Sequence, residues 1–140
     1  MRPVGRMGKS DPGQRGMKGI GVDVVSVTRI DRALGRTRGF AEAVFTSFER
    51  AECEGRPMRA RARRYASRFA AKEAFLKALG LGVFGPVALA DVEVRPGGGG
   101  RAGLWLGPTA ARALAQTGGA TPLLSLSHLE DLALALVVVP

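Results

Sequence analysis

The chain has 140 residues, 46% of them hydrophobic, and a formal net charge of +9. That length suits one compact domain, and that apolar share is well above what a disordered chain carries. A single cysteine, Cys53, excludes an intrachain disulfide framework and points to a reducing compartment, and its Glu-Cys-Glu setting argues against a nucleophile. No run approaches the roughly 20 apolar residues of a membrane span, and the basic N-terminus lacks the apolar core of a secretory signal, so a cytoplasmic protein without membrane partners is expected.

The charge is uneven. Residues 1–16 hold four basic groups and one acid, and residues 29–64 hold ten arginines and five acids. A basic surface of this kind faces a nucleic acid, an anionic lipid, a polyphosphate or an acidic protein, or is simply a solvated face.

In chain order, residues 1–16 are rich in Gly, Pro and charge, without periodicity, and read as a disordered leader or an expression remnant, with residues 17–140 as the folded domain. Residues 18–27 read as a β-strand through Ile20, Val22, Val24 and Val25, interrupted by Asp23. Ser26 or Thr28 is placed to cap a following helix that carries Ile30, Ala33 and Leu34 on one face. Residues 39–54 contain a second short helix, ended by Gly55 and Pro57. The longest helix is expected over residues 60–79, with Tyr65, Phe69, Leu76 and Leu79 on one stripe and Gly80 and Gly82 closing it. Residues 87–95 form a strand, Leu104 and Leu106 a short one, and residues 109–116 an Ala-rich helix. The chain ends in a hairpin of residues 123–126 and 132–139, separated by residues 127–131. Strands and helices mix without regular βαβ alternation, which indicates an α+β fold.

Three segments contain residues able to do chemistry. In Gly19-Ile20-Gly21-Val22-Asp23 the glycine pair is a poor dinucleotide fingerprint, because the third glycine is missing. Asp23 is either a solvent-facing or capping residue at a strand end, or a ligand for a hard cation. In the run from Ser67 to Gly80, Glu73 and Lys77 lie four apart on one helix face, as in an ordinary ion pair. Ala66, Ala70, Ala74 and Ala78 keep the neighbouring surface low enough for a ligand to approach the backbone, and Arg68 and Lys72 add charge suited to phosphate. In Leu124-Ser125-Leu126-Ser127-His128 stands the only histidine, either a turn or core residue or a donor to a phosphate or amide. One His and one Cys exclude a zinc site of the common type.

Together, Gly-Ile-Gly-Val-Asp, then Arg-Phe-Ala-Ala-Lys-Glu-Ala-Phe-Leu-Lys-Ala-Leu-Gly, then Leu-Ser-Leu-Ser-His resemble the 4′-phosphopantetheinyl transferases in order and spacing. The short length points to the holo-(acyl-carrier-protein) synthase branch. The resemblance spans residues 18–139 and implies a long central helix packed on a mostly antiparallel sheet. It implies that Asp23 and Glu73 bind Mg²⁺, with coenzyme A as substrate and an acidic acyl carrier protein as partner. Glu73 and Lys77 take the catalytic positions, Lys77 assisting the leaving 3′,5′-ADP. Arg68, Lys77, Gly82 and His128 match positions that bind coenzyme A. Arg29, Arg36, Phe40 and Phe69 match the surface that docks the carrier. The branch is homotrimeric, with sites shared between subunits. One departure is Gly100-Arg101-Ala102, where the family commonly has Gly-basic-Pro. A nucleic-acid-binding module is the rival reading of the charge, but a single Tyr and a single Trp give no stacking cluster.

Overall fold

The structure is a computed structural model that describes residues 16–82 and 84–140; the leader expected over residues 1–16 lies, apart from Gly16, outside the described residues. Strand β1 (Gly19–Ser26) leads directly into helix α1 (Val27–Arg36), with Ser26 as the N-cap. Two short helices follow, α2 (Phe40–Val44) and α3 (Ser47–Cys53), before the long helix α4 (Met58–Ala78). Strands β2 (Val92–Pro96) and β3 (Ala102–Leu106) pair as an antiparallel hairpin, α5 (Pro108–Gln116) follows, and β4 (Leu123–Leu129) and β5 (Leu132–Val139) complete the chain. β1, β5 and β4 form one antiparallel sheet in that order, with β5 central. The α+β class and the helix packed on an antiparallel sheet are as expected.

The contact that sets the layer spacing is unusually close. A Cβ built on Gly19 would lie 2.0 Å from the Ala78 carbonyl oxygen, and one built on Gly21 would lie 1.9 Å from that of Ala74. The two glycines therefore let the backbone of β1 rest directly on α4. The neighbouring strand continues the same face with Ala133, Ala135, Val137 and Val139, all fully buried. The alanine stripe of α4 is thus covered by protein, Ala70 and Ala74 entirely. This corrects the expectation that it leaves a ligand room to approach.

The other side of α4 is also buried, because α3 and β2 pack there and Phe40 of α2 lies against Phe69. Lys72 sits at that contact, fully enclosed. Its Nζ donates to Glu49 Oε1 (2.6 Å) and to the carbonyls of Val44, Leu89 and Val92. Glu49 in turn accepts the amides of Thr46 and Val94. Lys72 is a structural tie between three segments and offers nothing to a phosphate, contrary to the sequence reading. Burial lowers the affinity of its ammonium for a proton, and the charge of Glu49 opposes that shift.

Three element boundaries differ from expectation. The segment 39–54 breaks at Phe45, because Thr46 and Glu49 form a capping box that starts a new helix. The strand expected from residue 87 begins at Val92, after a one-turn 3-10 helix over Leu89–Asp91. β4 runs through His128 to Leu129, leaving only Glu130 and Asp131 between the hairpin strands. At the end of α4, Gly80 (φ 71°) alone makes the left-handed cap, its amide bonding to Lys77 and that of Leu81 to Leu76. Gly82 belongs to the turn beyond.

Replacing Lys72 by Met would leave the buried Glu49 carboxylate without its counter-charge and take a hydrogen bond from three interior carbonyls. Lys72→Met is expected to destabilise the protein by about 3–5 kcal/mol, read from the shift of a urea unfolding midpoint.

Candidate functional site

The residues that face α4 from β1 are Gly19, Gly21 and Asp23, while Ile20, Val22 and Val24 face outward. The strand period of two therefore turns Asp23 towards the helix that carries Glu73 and Lys77. Lys77 Nζ donates to Asp23 Oδ1 (2.9 Å) and to the Val22 carbonyl (3.1 Å). The lysine side chain is 52% exposed and that of the aspartate 13%, so the pair opens to solvent on the lysine side.

The second carboxylate is in the same place. Glu73 is buried, and no hydrogen bond or ion pair to it is found among the described residues. Burial raises its proton affinity, the charge of Asp23 raises it further, and Lys77 partly offsets both. Asp23 Oδ2 is buried and has no hydrogen-bond partner among the described residues. Two partly desolvated carboxylates, one with an orphaned oxygen, share one lysine. Such an arrangement is costly as it stands and suits a hard cation, which takes oxygen ligands and often only one or two from carboxylates. The described residues contain no group of three or more His, Cys, Asp or Glu that would hold a metal unaided. Any ion here would need further oxygens from water or substrate.

The residues expected to dock a carrier are spread over α1, α2 and α4. Arg29 and Arg36 are exposed and seven apart on α1, hence on one face of that helix. Phe40, at the start of α2, packs against Phe69 of α4 with ring centroids 6.3 Å apart, and both rings remain partly accessible. The two expected aromatic residues are therefore in contact.

Arg68 and His128 are not brought to Asp23 within one chain. Arg68 is 9% exposed, donates to the Arg64 carbonyl and leaves its Nε unpartnered. Its charge acts on Cys53, across the helix from the cluster. His128 is exposed on the edge strand, opposite Ala133. No hydrogen bond or ion pair joins either residue, or Gly82, to Asp23, Glu73 or Lys77 among the described residues. Cys53 is fully buried, and that burial pushes its thiol up to about 11, with Arg68 opposing. It is as unreactive as expected, though through burial more than through its acidic neighbours.

One feature escaped the sequence reading. The register aligns Ile20 with Val138 and Leu123, Val22 with Leu136, and Val24 with Leu134. Leu132 and Leu129 follow at the hairpin end. These side chains form a largely apolar outer sheet face, interrupted on β4 by Ser125 and Ser127, on which Ile20, Val22, Val24, Leu123 and Leu129 are each half-exposed or more. The alternation was legible, but not that both faces of the sheet are apolar.

The arrangement matches a known family. Residues 19–137 fit the model of the 4′-phosphopantetheinyl transferase superfamily. The chain belongs to that superfamily. The holo-[acyl-carrier-protein] synthase of Desulforudis audaxviator is 48% identical to it over 86% of this chain and 90% of its own. The crystal structure of the Neisseria meningitidis holo-[acyl-carrier-protein] synthase superposes with a TM-score of 0.74 at 35% identity, covering 89% of this chain and 99% of that one. A Chronobacterium ammoniagenes synthase in complex with coenzyme A gives a TM-score of 0.75 at 35% identity, covering 89% and 97%. Membership of the superfamily places this chain among the 4′-phosphopantetheinyl transferases.

The glycine contact that aims Asp23 at α4 can be tested against a control. Gly21→Ala forces β1 off Ala74 and is expected to cost about 1–3 kcal/mol. Gly35→Ala, within α1 where a Cβ meets nothing within 4 Å, is expected to add about 0.5–1 kcal/mol instead. Urea unfolding of both variants reads the contrast.

Proposed function

We propose that the protein transfers 4′-phosphopantetheine from coenzyme A to a serine of an apo-acyl carrier protein, releasing 3′,5′-ADP, in a Mg²⁺-dependent reaction. The observation that carries the site assignment is the buried Asp23 Oδ2, without a hydrogen-bond partner among the described residues, on an aspartate whose charge raises the proton affinity of the buried Glu73. Asp23 and Glu73 are the residues that would hold the ion. Bound there, Mg²⁺ supplies positive charge to the pyrophosphate of coenzyme A.

The nucleophile belongs to the carrier. Its serine oxygen forms a bond to the phosphorus bearing the pantetheine arm, and the bond from that phosphorus to the oxygen bridging to the adenosine phosphate breaks. The serine proton passes to Glu73 or to a water beside it, acting as general base. Lys77, already turned towards Asp23 and half open to solvent, supplies charge or a proton to the departing 3′,5′-ADP. Arg29 and Arg36, with Phe40 and Phe69 beside them, receive the acidic carrier. Opposite charges would speed that association at low salt.

The transferase unit on this reading spans residues 17–140 and assembles as a homotrimer. The half-exposed, largely apolar sheet face supports assembly, since monomers rarely expose so many apolar side chains on one face. Separation of Arg68, His128 and Gly82 from the carboxylates supports a site completed by a neighbour, where those residues meet the coenzyme A phosphates. Cytoplasmic fatty-acid or polyketide synthesis is the setting in which such a product is consumed. No described helix is long and apolar enough to cross a membrane.

Incubation with Mg²⁺, coenzyme A and an apo carrier protein should add one phosphopantetheine to the carrier, read by intact mass. Chelation should stop the reaction and added Mg²⁺ restore it. Glu73→Gln is expected to lower kcat roughly 10²–10⁴-fold. A Glu73→Gln enzyme as active as the parent would overturn the assignment. For the assembly, light scattering should give three chains of 14.7 kDa. Ile20→Glu, on the outer sheet face, should yield monomers with little activity.

A further inference from the structure

The turn between β4 and β5 is joined to the start of α1 by a dense set of hydrogen bonds that the proposed chemistry does not use. Asp131 Oδ1 accepts the Thr28 amide (2.9 Å) and the Thr28 hydroxyl (2.6 Å). Its Oδ2 accepts the Ser26 hydroxyl (2.7 Å), and its carbonyl accepts the Val27 amide (2.8 Å). Ser26 Oγ then accepts the Arg29 amide (3.2 Å). The first three amides of α1 are thus all satisfied, two by Asp131 directly and one by a hydroxyl that Asp131 orients.

A capping carboxylate ordinarily comes from the residue before the helix and holds the helix only to itself. Asp131 comes from more than a hundred residues later in the chain and from the hairpin whose strand β5 pairs with β1. It therefore fixes the direction in which α1 leaves the strand that carries Asp23. Its negative charge also favours the helix N-terminus. Hydrogen bonds from Thr28 and Ser26 hold its carboxyl below the ordinary carboxylate range, so it stays ionised at neutral pH.

We propose that Asp131 is a positioning residue for carrier binding, aiming the first turn of α1 and with it Arg29. The proposal rests on the reading that α1 presents the carrier-docking arginines. The site carboxylates have independent supports: Asp23 lies between β5 and α4, and Glu73 is held within α4. Loosening the first turn of α1 moves Arg29 without moving them. The predicted signature is therefore selective, falling on the carrier and not on coenzyme A.

The test is steady-state kinetics with Mg²⁺, coenzyme A and an apo acyl carrier protein, varying each substrate in turn. Asp131→Ala is expected to raise the carrier KM roughly fivefold, with kcat and the coenzyme A KM changed less than about twofold. Asp131→Asn retains an acceptor for the Thr28 amide and should recover most of the carrier KM. Should Asp131→Ala fail to fold, as judged by a thermal melt, Thr28→Val takes its place, with a rise of about twofold from the lost hydroxyl bond. Arg29→Ala and Arg36→Ala are measured alongside. A raised carrier KM in the arginine variants with an unchanged one in Asp131→Ala overturns the positioning role and leaves the docking reading standing. An unchanged carrier KM in the arginine variants overturns both. Equal changes in kcat and in both KM values after Asp131→Ala show a general loss of structure and overturn the positioning role alone.

Discussion

The approach of β1 to α4 is the constraint on which the rest depends. Two glycines remove the side chains that would hold strand and helix apart, and the helix answers with alanines at the facing positions. The strand backbone then lies close enough for a short Asp side chain two residues on to share Lys77 with Glu73. A glycine pair beside a helix invites comparison with a phosphate-binding loop, but here its use is steric. The two carboxylates feel each other's charge because the strand and helix backbones are in contact.

That contact positions only one side of α4. The opposite side is fixed by Lys72, whose ammonium shares its three donors among Glu49 and three carbonyls from different segments. Lys72 and Glu73 are adjacent, so the helix turns one towards the α3–β2 side and the other towards the sheet. A buried ion pair of this kind contributes little net stability compared with a well-packed apolar alternative, because desolvation cancels most of the attraction. What it does impose is register. No other rotation of α4 brings Lys72 into its set of acceptors, and that rotation is the one that places Glu73 beside Asp23.

Much of this was legible in the sequence, and the failures have physical causes. β1 and α4 were read within two residues of their ends, because valine-rich alternation and a long polar-apolar segment closed by glycine are local signals. Asp23, Glu73 and Lys77 were picked out as a group only through family resemblance, since each is ordinary alone. The burial of Lys72 was illegible, because its partners lie 17 to 28 residues away and most are backbone carbonyls, which any residue supplies. The break at Phe45 was legible in principle: Thr46-Ser47-Phe48-Glu49 is a capping box written out, and an apolar count over residues 39–54 passes over it. The stripe expected on α4 was too narrow for the same reason that Lys72 was misread. A helix enclosed on both sides buries residues all round, and residues 70–76 do so without interruption.

The sheet has a further consequence for how site and assembly relate. Strand alternation gives β1 an inner row of Gly19, Gly21 and Asp23 and an outer row of Ile20, Val22 and Val24. The inner row builds the carboxylate cluster; the outer row builds the apolar face through which the proposed trimer would form. A one-residue slip of β1 against β5 would exchange the two rows, placing Asp23 outside and a valine against α4. Register is therefore under two demands at once. The inner face admits only glycine where the helix carbonyls approach, and the outer face must remain apolar if subunits are to cover it. With the valines that alternate between the glycines and the aspartate, only one register meets both demands. A single eight-residue strand thereby couples the geometry of the proposed metal ligands to the surface by which a neighbour would bring its Arg68 and His128.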